Sequence, residues 1–140
     1  MVKGLSHMTF IVSDLDKMEE VLVGVLHARK VYDSGDATFS VAPERFFLVG
    51  DDDLWIAIME GEALPTRTYN HLAFKIDDEQ FDDYLARVLA LGLEVKQGRS
   101  RMEGEGRSIY FYDHDNHLFE LHTGTLQERL ARYARAQELK

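Results

Sequence analysis

Ser6-His7-Met8-Thr9-Phe10-Ile11-Val12-Ser13-Asp14 and Asn70-His71-Leu72-Ala73-Phe74-Lys75-Ile76-Asp77-Asp78 are two versions of one pattern, 64 residues apart (7 to 71). His, Phe and Asp coincide, and Val12 meets Ile76. The same spacing sets Ala28 on Gly92, Val31 on Val95 and Phe46-Phe47 on Tyr110-Phe111. Leu54-Trp55 falls on Leu118-Phe119, with room for a one-residue slip because Asp51-Asp52-Asp53 reads as a turn of variable length. A repeat this long is a duplicated supersecondary module, not a short solenoid unit.

Each module reads strand, helix, then three strands. Leu5–Val12 alternates polar and apolar residues, as a half-buried strand does. A helix is expected from about Asp16, capped by that carboxylate with Glu19 three residues on, and with Met18, Val21, Leu22 and Val25 inward. Strands near Lys30–Tyr32, Phe46–Val49 and Leu54–Met59 complete the first module, about residues 1–62. The second, about 68–124, repeats this order. It has a strand at His71–Ile76, a helix burying Phe81, Tyr84, Leu85 and Val88, and strands near Leu93–Lys96, Ser108–Tyr112 and Leu118–Thr123. Gly92 suits the position after that helix, where φ is often positive. A last helix, about 125–138, starts at Thr125 with Glu128 as cap partner and packs Leu126, Leu130 and Tyr133. The expected class is α+β: paired βαβββ modules forming one domain over residues 1–140, with equivalent histidines on both first strands.

Composition narrows the chemistry. Cysteine is absent, so disulfides and thiolate metal sites are excluded, and any metal must be held by imidazole and carboxylate. The formal net charge of −9 argues against nucleic acid, whose phosphates need a basic footprint. No apolar run approaches the roughly 18 residues of a membrane span, and a cytoplasmic location is the expectation. A small anion would need a local concentration of Arg and Lys to be held by so acidic a chain.

Several residues fit a site. His7 and His71 are repeat-equivalent, and Glu120 interrupts the apolar strand Leu118-Phe119-Glu120-Leu121-His122. A buried carboxylate wants a cation beside it. Two His and one carboxylate leave coordination positions open, a ligand set that suits Mn2+, Fe2+ or Zn2+. The alternative is that each His is a hydrogen-bonded structural residue; His114, His117 and His122 compete as ligands, His122 as a neighbour of Glu120. Glu44, in Val41-Ala42-Pro43-Glu44-Arg45, is either a general base at a strand mouth or a solvated loop charge. Arg99-Ser100-Arg101-Met102-Glu103-Gly104-Glu105-Gly106-Arg107-Ser108 is a basic, glycine-spaced loop. With Arg129 it reads either as an anion cradle or as a charged surface.

Four stretches carry a resemblance: Gly4-Leu5-Ser6-His7-Met8-Thr9, Tyr69-Asn70-His71-Leu72-Ala73-Phe74, the run from Glu103 to Asp113, and the run from Asp115 to Leu126. Together they closely resemble the fosfomycin-resistance proteins of the vicinal oxygen chelate (glyoxalase-like) superfamily, over essentially the whole chain. The resemblance implies the vicinal oxygen chelate fold in a domain-swapped homodimer. It implies Mn2+ held by His7 of one chain with His71 and Glu120 of the other. The substrate implied is fosfomycin or a similar small phosphonate, held by Thr9, Ser108, Tyr110 and Arg129, with Arg99 or Arg101 assisting and Trp55 and Tyr69 lining the apolar part. Glu44, followed by Arg45-Phe46-Phe47-Leu48, matches the epoxide-hydrolase branch, in which it activates water. The Asp51-Asp52-Asp53 stretch departs from the shorter hairpin expected of that branch. A thiol transferase, a metal-free drug-binding protein and a 2-His-1-carboxylate dioxygenase are the competing functions.

Overall fold

The computed structural model describes residues 1–36, 39–96 and 106–139. The chain divides into two compact units, Met1–Arg67 with Asp113–His117, and Thr68–Tyr112 with Leu118–Lys140. The first holds β1 (His7–Val12), α1 (Leu15–Leu26), β2 (Arg29–Asp33), β3 (Glu44–Val49) and β4 (Leu54–Glu60). The second holds β5 (His71–Lys75), a 3-10 turn at Asp78–Gln80, α2 (Phe81–Ala90), β6 (Val95–Lys96), β7 (Ser108–Tyr112), β8 (Leu118–His122) and α3 (Leu126–Glu138). The sheet orders are β1-β4-β3-β2 and β5-β8-β7-β6, each with its first strand parallel to its last and the other pairs antiparallel. Both units are therefore βαβββ. Among the described residues no helix is long and apolar enough to cross a membrane.

Strand alternation sends one set of side chains to the core and another to a working face. In the first unit α1 packs on β3 and β4 and buries Met18, Val21, Leu22 and Val25. Phe47, Val49, Ile56 and Ile58 are buried with it. The opposite face carries His7, Thr9 and Ile11 from β1, Trp55, Ala57 and Met59 from β4, and Glu44, Phe46 and Leu48 from β3, in matched rows. The corresponding face in the second unit carries His71 and Lys75, then Leu118, Glu120 and His122, then Ser108, Tyr110 and Tyr112, with Lys96 at the edge.

The registers locate the slip in the repeat. His7 pairs with Trp55, whereas His71 pairs with Leu118. Phe46 faces Ala57, and its equivalent Tyr110 faces Glu120. The fourth strands are thus offset by one residue less than the rest. Six residues lie between the paired Leu48 and Trp55 and five between their equivalents Tyr112 and Leu118, so the first module's turn is one residue longer than its sister's, and the extra residue falls at Asp51-Asp52-Asp53. Both turns close on a residue with positive φ, Asp53 (50°) and Asn116 (71°), types that tolerate this conformation. One functional consequence follows: the residue equivalent to Glu120 in the first unit is Ala57.

Two expectations need correcting. The cap of α1 is Asp14, whose carboxylate accepts the Lys17 backbone N–H, and not Asp16. Asp16 and Glu19 are drawn instead to Arg45, at 2.9 and 3.0 Å, with Asp33 at 3.2 Å from the same guanidinium. Burial opposes the charge on Arg45, but the hydrogen bond to Asp16 and the fields of Asp33 and Glu19 outweigh it and raise its pKa. The Gly35 backbone N–H, with Arg45 and Lys30 nearby, holds the Asp33 carboxyl below its usual value. This cluster fastens β3 to α1 on the face opposite Glu44. The second correction concerns α3. Thr125 caps it by accepting the Glu128 N–H, as expected, but Leu126 and Leu130 are 63% and 56% exposed, because no described element of the chain covers them.

Gly92 takes φ +70 after α2, the conformation expected of it. Gly106 carries a tighter constraint where the chain enters β7. Its φ is +88, and a Cβ there would stand 2.6 Å from the Gly124 nitrogen and 2.7 Å from its Cα. Backbone meets backbone, so neither side can yield. Gly106→Ala should lower stability by about 1–3 kcal/mol, measured as a shift of the urea midpoint without a change in slope.

Candidate metal and phosphonate site

His71 opens β5 and Glu120 sits in the middle of β8, a strand otherwise buried from Leu118 to Leu121. Glu120 is 4% exposed. Its Oε1 lies 3.1 Å from His71 Nε2. The other imidazole nitrogen, Nδ1, is 2.6 Å from the Tyr69 carbonyl oxygen, which can only accept, so Nδ1 carries a proton and in the neutral ring Nε2 keeps its lone pair. A lone pair and a carboxylate oxygen facing each other need a cation between them. Two donors about 2.1 Å from one ion at a right angle stand about 3 Å apart, so the spacing fits a shared metal. The backbone carbonyl bond also fixes the imidazole plane, as partners of metal-ligating histidines do. Among the described residues no group of three or more His, Asp or Glu gathers around one point, so this unit by itself presents two ligands.

The other expected residues of this unit surround the pair. Ser108 Oγ is 2.5 Å from Glu120 Oε2 and 2.7 Å from His122 Nδ1. Tyr69 donates its hydroxyl proton to that of Tyr110 at 3.1 Å, and the Tyr110 ring meets the His71 ring edge-on at 5.5 Å between centroids. Tyr69 is half exposed and Tyr110 buried. An Arg129 nitrogen stands 3.4 Å from His122 Nε2, which brings one turn of α3 to the site. Arg99 and Arg101 lie outside the described residues. Arg107 is turned away: it bonds the Asp78 carboxylate at 3.0 Å and carbonyl at 3.1 Å, and stacks over Phe81.

In the first unit His7 stacks on Trp55, centroids 4.2 Å apart, with its Nδ1 2.9 Å from Ser6 Oγ. Thr9 is exposed one step along the same face of β1. The Trp55 Nε1–H is buried without a hydrogen-bond partner among the described residues, an orphan donor beside His7. Glu44 is no loop charge. It is the first residue of β3, is 8% exposed, and its backbone N–H donates to Ser34 Oγ. Its carboxylate makes no ion pair among the described residues and shares the face of His7 and Thr9.

Two groups went unread in the sequence. Lys96, directly across from Tyr110, holds its ammonium 5.4 Å from the Tyr69 ring centre, and Lys75 pairs in register with His122. Strand parity would have found both once the register was known. The competitor His117 is structural: its Nδ1–H donates to Asp113 Oδ2 at 2.7 Å, while Asp113 also accepts the backbone N–H groups of Asp115 and His117.

Residues 4–121 match the family model of the glyoxalase/bleomycin resistance protein/dioxygenase superfamily. The chain belongs to that superfamily. Within it, the chain is 62% identical over 138 residues to the fosfomycin resistance protein FosX of Mesorhizobium japonicum, covering 99% of this chain and 98% of the relative. It superposes with a TM-score of 0.86, at 54% identity and over 95% and 99% of the two chains, on a crystallised variant of Listeria monocytogenes FosX. That variant is complexed with Mn(II) and 1S,2S-dihydroxypropylphosphonic acid. A more distant superfamily member, the metallothiol transferase FosB of Shouchella clausii, is 38% identical over 95% of this chain and 88% of its own.

Asp113→Ala should leave two backbone N–H groups and the His117 ring without their acceptor, at about 2–3 kcal/mol of stability. Chemical denaturation reads the loss directly.

Proposed function

We propose that this chain is a Mn2+-dependent epoxide hydrolase that converts fosfomycin to its vicinal diol and so confers resistance to the antibiotic. The observation that carries the reading is the His71–Glu120 pair, with Nε2 and Oε1 3.1 Å apart and the remaining ring proton committed to a carbonyl. It lies in a chain 62% identical to a FosX protein along nearly its full length. His7 of the partner subunit completes the ligand set in a homodimer, and the uncovered Leu126 and Leu130 of α3 agree with a second copy. The two modules act as one domain, and the reaction takes place in the cytoplasm.

Mn2+ bound there supplies Lewis-acid polarisation of the epoxide oxygen. Glu44 is the base: it takes a proton from water, whose oxygen bonds to the ring carbon bearing the phosphonate. The carbon–oxygen bond of the strained ring breaks, and the freed oxygen takes up a proton to give the second hydroxyl. Water is the only co-reactant, and the atoms balance. Glu44 is 8% exposed and makes no ion pair among the described residues, which leaves its carboxylate to face a water. Arg129, Tyr110 and Thr9 bind the phosphonate, with Arg101 assisting, while Ser108 beside them gives its one hydroxyl proton to Glu120. Trp55 and Tyr69 confine the methyl-bearing part, and the Trp55 Nε1–H is a donor available to substrate. Positioning water, ring and base in one geometry accounts for much of the rate.

Phosphorus NMR of protein, Mn2+ and fosfomycin without thiol should show the diol, and chelation should stop it. Glu44→Gln should lower turnover at least about 100-fold while Mn2+ and fosfomycin still bind; undiminished turnover removes Glu44 from the base role. The likeness to a metallothiol transferase supports a second reading, thiol addition. An adduct formed with added thiol and no diol without it would favour that instead.

A further inference from the structure

We propose that His122 is a positioning residue that ties Arg129 to Glu120 through Ser108, an inference that rests on the metal-site reading above. Arg129 can only donate, so the His122 Nε2 that faces its guanidinium at 3.4 Å is the bare nitrogen of the ring. A neutral imidazole then holds its proton on Nδ1, which donates to Ser108 Oγ at 2.7 Å. Ser108 has one proton. The Glu120 Oε2 at 2.5 Å can only accept, so the hydroxyl proton goes there. Every link has one donor and one acceptor, and all three point the same way, from the guanidinium toward the carboxylate.

The consequence falls on the two oxygens of Glu120. With Oε2 engaged in a short, charge-assisted bond, Oε1 is the oxygen presented beside His71 Nε2. The chain of bonds thus selects one carboxylate oxygen for the metal and holds its plane. At the other end it holds the guanidinium of Arg129 in place. His122 Nδ1 also stands 3.4 Å from Glu120 Oε2, farther than its 2.7 Å contact with Ser108, so its role is to position Glu120 and Arg129.

The experiment measures Mn2+ affinity by paramagnetic resonance of the free ion, alongside KM for fosfomycin, in the full-length protein. His122→Phe should weaken Mn2+ binding about 10- to 100-fold and raise KM, with circular dichroism unchanged. His122→Asn keeps a donor near the Nδ1 position and loses the acceptor at Nε2. It should recover Mn2+ affinity to within about threefold while KM stays raised, a split that a general loss of packing would not produce. Should the Phe variant fail to fold, Ser108→Ala carries the same test. It should show the same loss of Mn2+ affinity, with circular dichroism unchanged. Wild-type Mn2+ affinity in His122→Phe or Ser108→Ala would overturn the proposal. A wild-type protein that does not bind Mn2+ at all would sink the metal-site reading itself.

Discussion

A carboxylate in the middle of an apolar strand is the constraint around which the second module is organised. Glu120 is 4% exposed, flanked by Phe119 and Leu121 at full burial, and an unpaired charge there would cost several kcal/mol. Its partners Ser108 and His71 supply a proton and a place for a cation. Ser108 donates to one oxygen, and His71 turns a lone pair toward the other. The Tyr69 carbonyl fixes which nitrogen of His71 that is, and the Tyr69–Tyr110 hydroxyl contact ties the wall of the site to β7. The network is incomplete without a positive charge where Nε2 and Oε1 converge.

The first module supplies the contrast. It has the same strand order and an equivalent histidine, but Ala57 occupies the position of Glu120. A one-residue difference in the turn before the fourth strand produces that equivalence. Freed from carrying a carboxylate on β4, this face carries Glu44 on β3 instead, beside aromatic Phe46 and Trp55. The duplicated modules thus place their buried carboxylates differently, Glu120 on the fourth strand of one and Glu44 on the third strand of the other. The Arg45 cluster on the reverse side holds β3 to α1, so Glu44 starts a strand whose position is fixed by three ion pairs.

The acidity of the chain made an anionic substrate a puzzle, and the described part of the site shows how the charge is handled locally. Arg129, Lys96 and Lys75 are gathered from α3, β6 and β5, three separate parts of the chain, onto one face. Conversely Arg107, in the most basic-looking segment, spends its charge on Asp78. Local sequence charge is a poor guide to a site because strands and helices bring in residues from far along the chain.

Much was legible in the order of residues alone. The 64-residue repeat fixed the βαβββ order, since periods of two and of 3.6 in the hydrophobic pattern follow directly from strand and helix geometry. His7, His71 and Glu120 stood out because polar residues on apolar strands need a reason. The cap of α3 at Thr125 was readable from a local hydrogen bond spanning three residues. Asp16 misled because its true partner, Arg45, lies on another strand. Tertiary structure alone decided which oxygen of Glu120 faces His71, which nitrogen of His122 is bare, that Glu44 is buried, and that Leu126 and Leu130 are not. Each of these depends on what stands across a strand pair or over a helix face, and neighbours of that kind are set by register and packing, which no local pattern encodes.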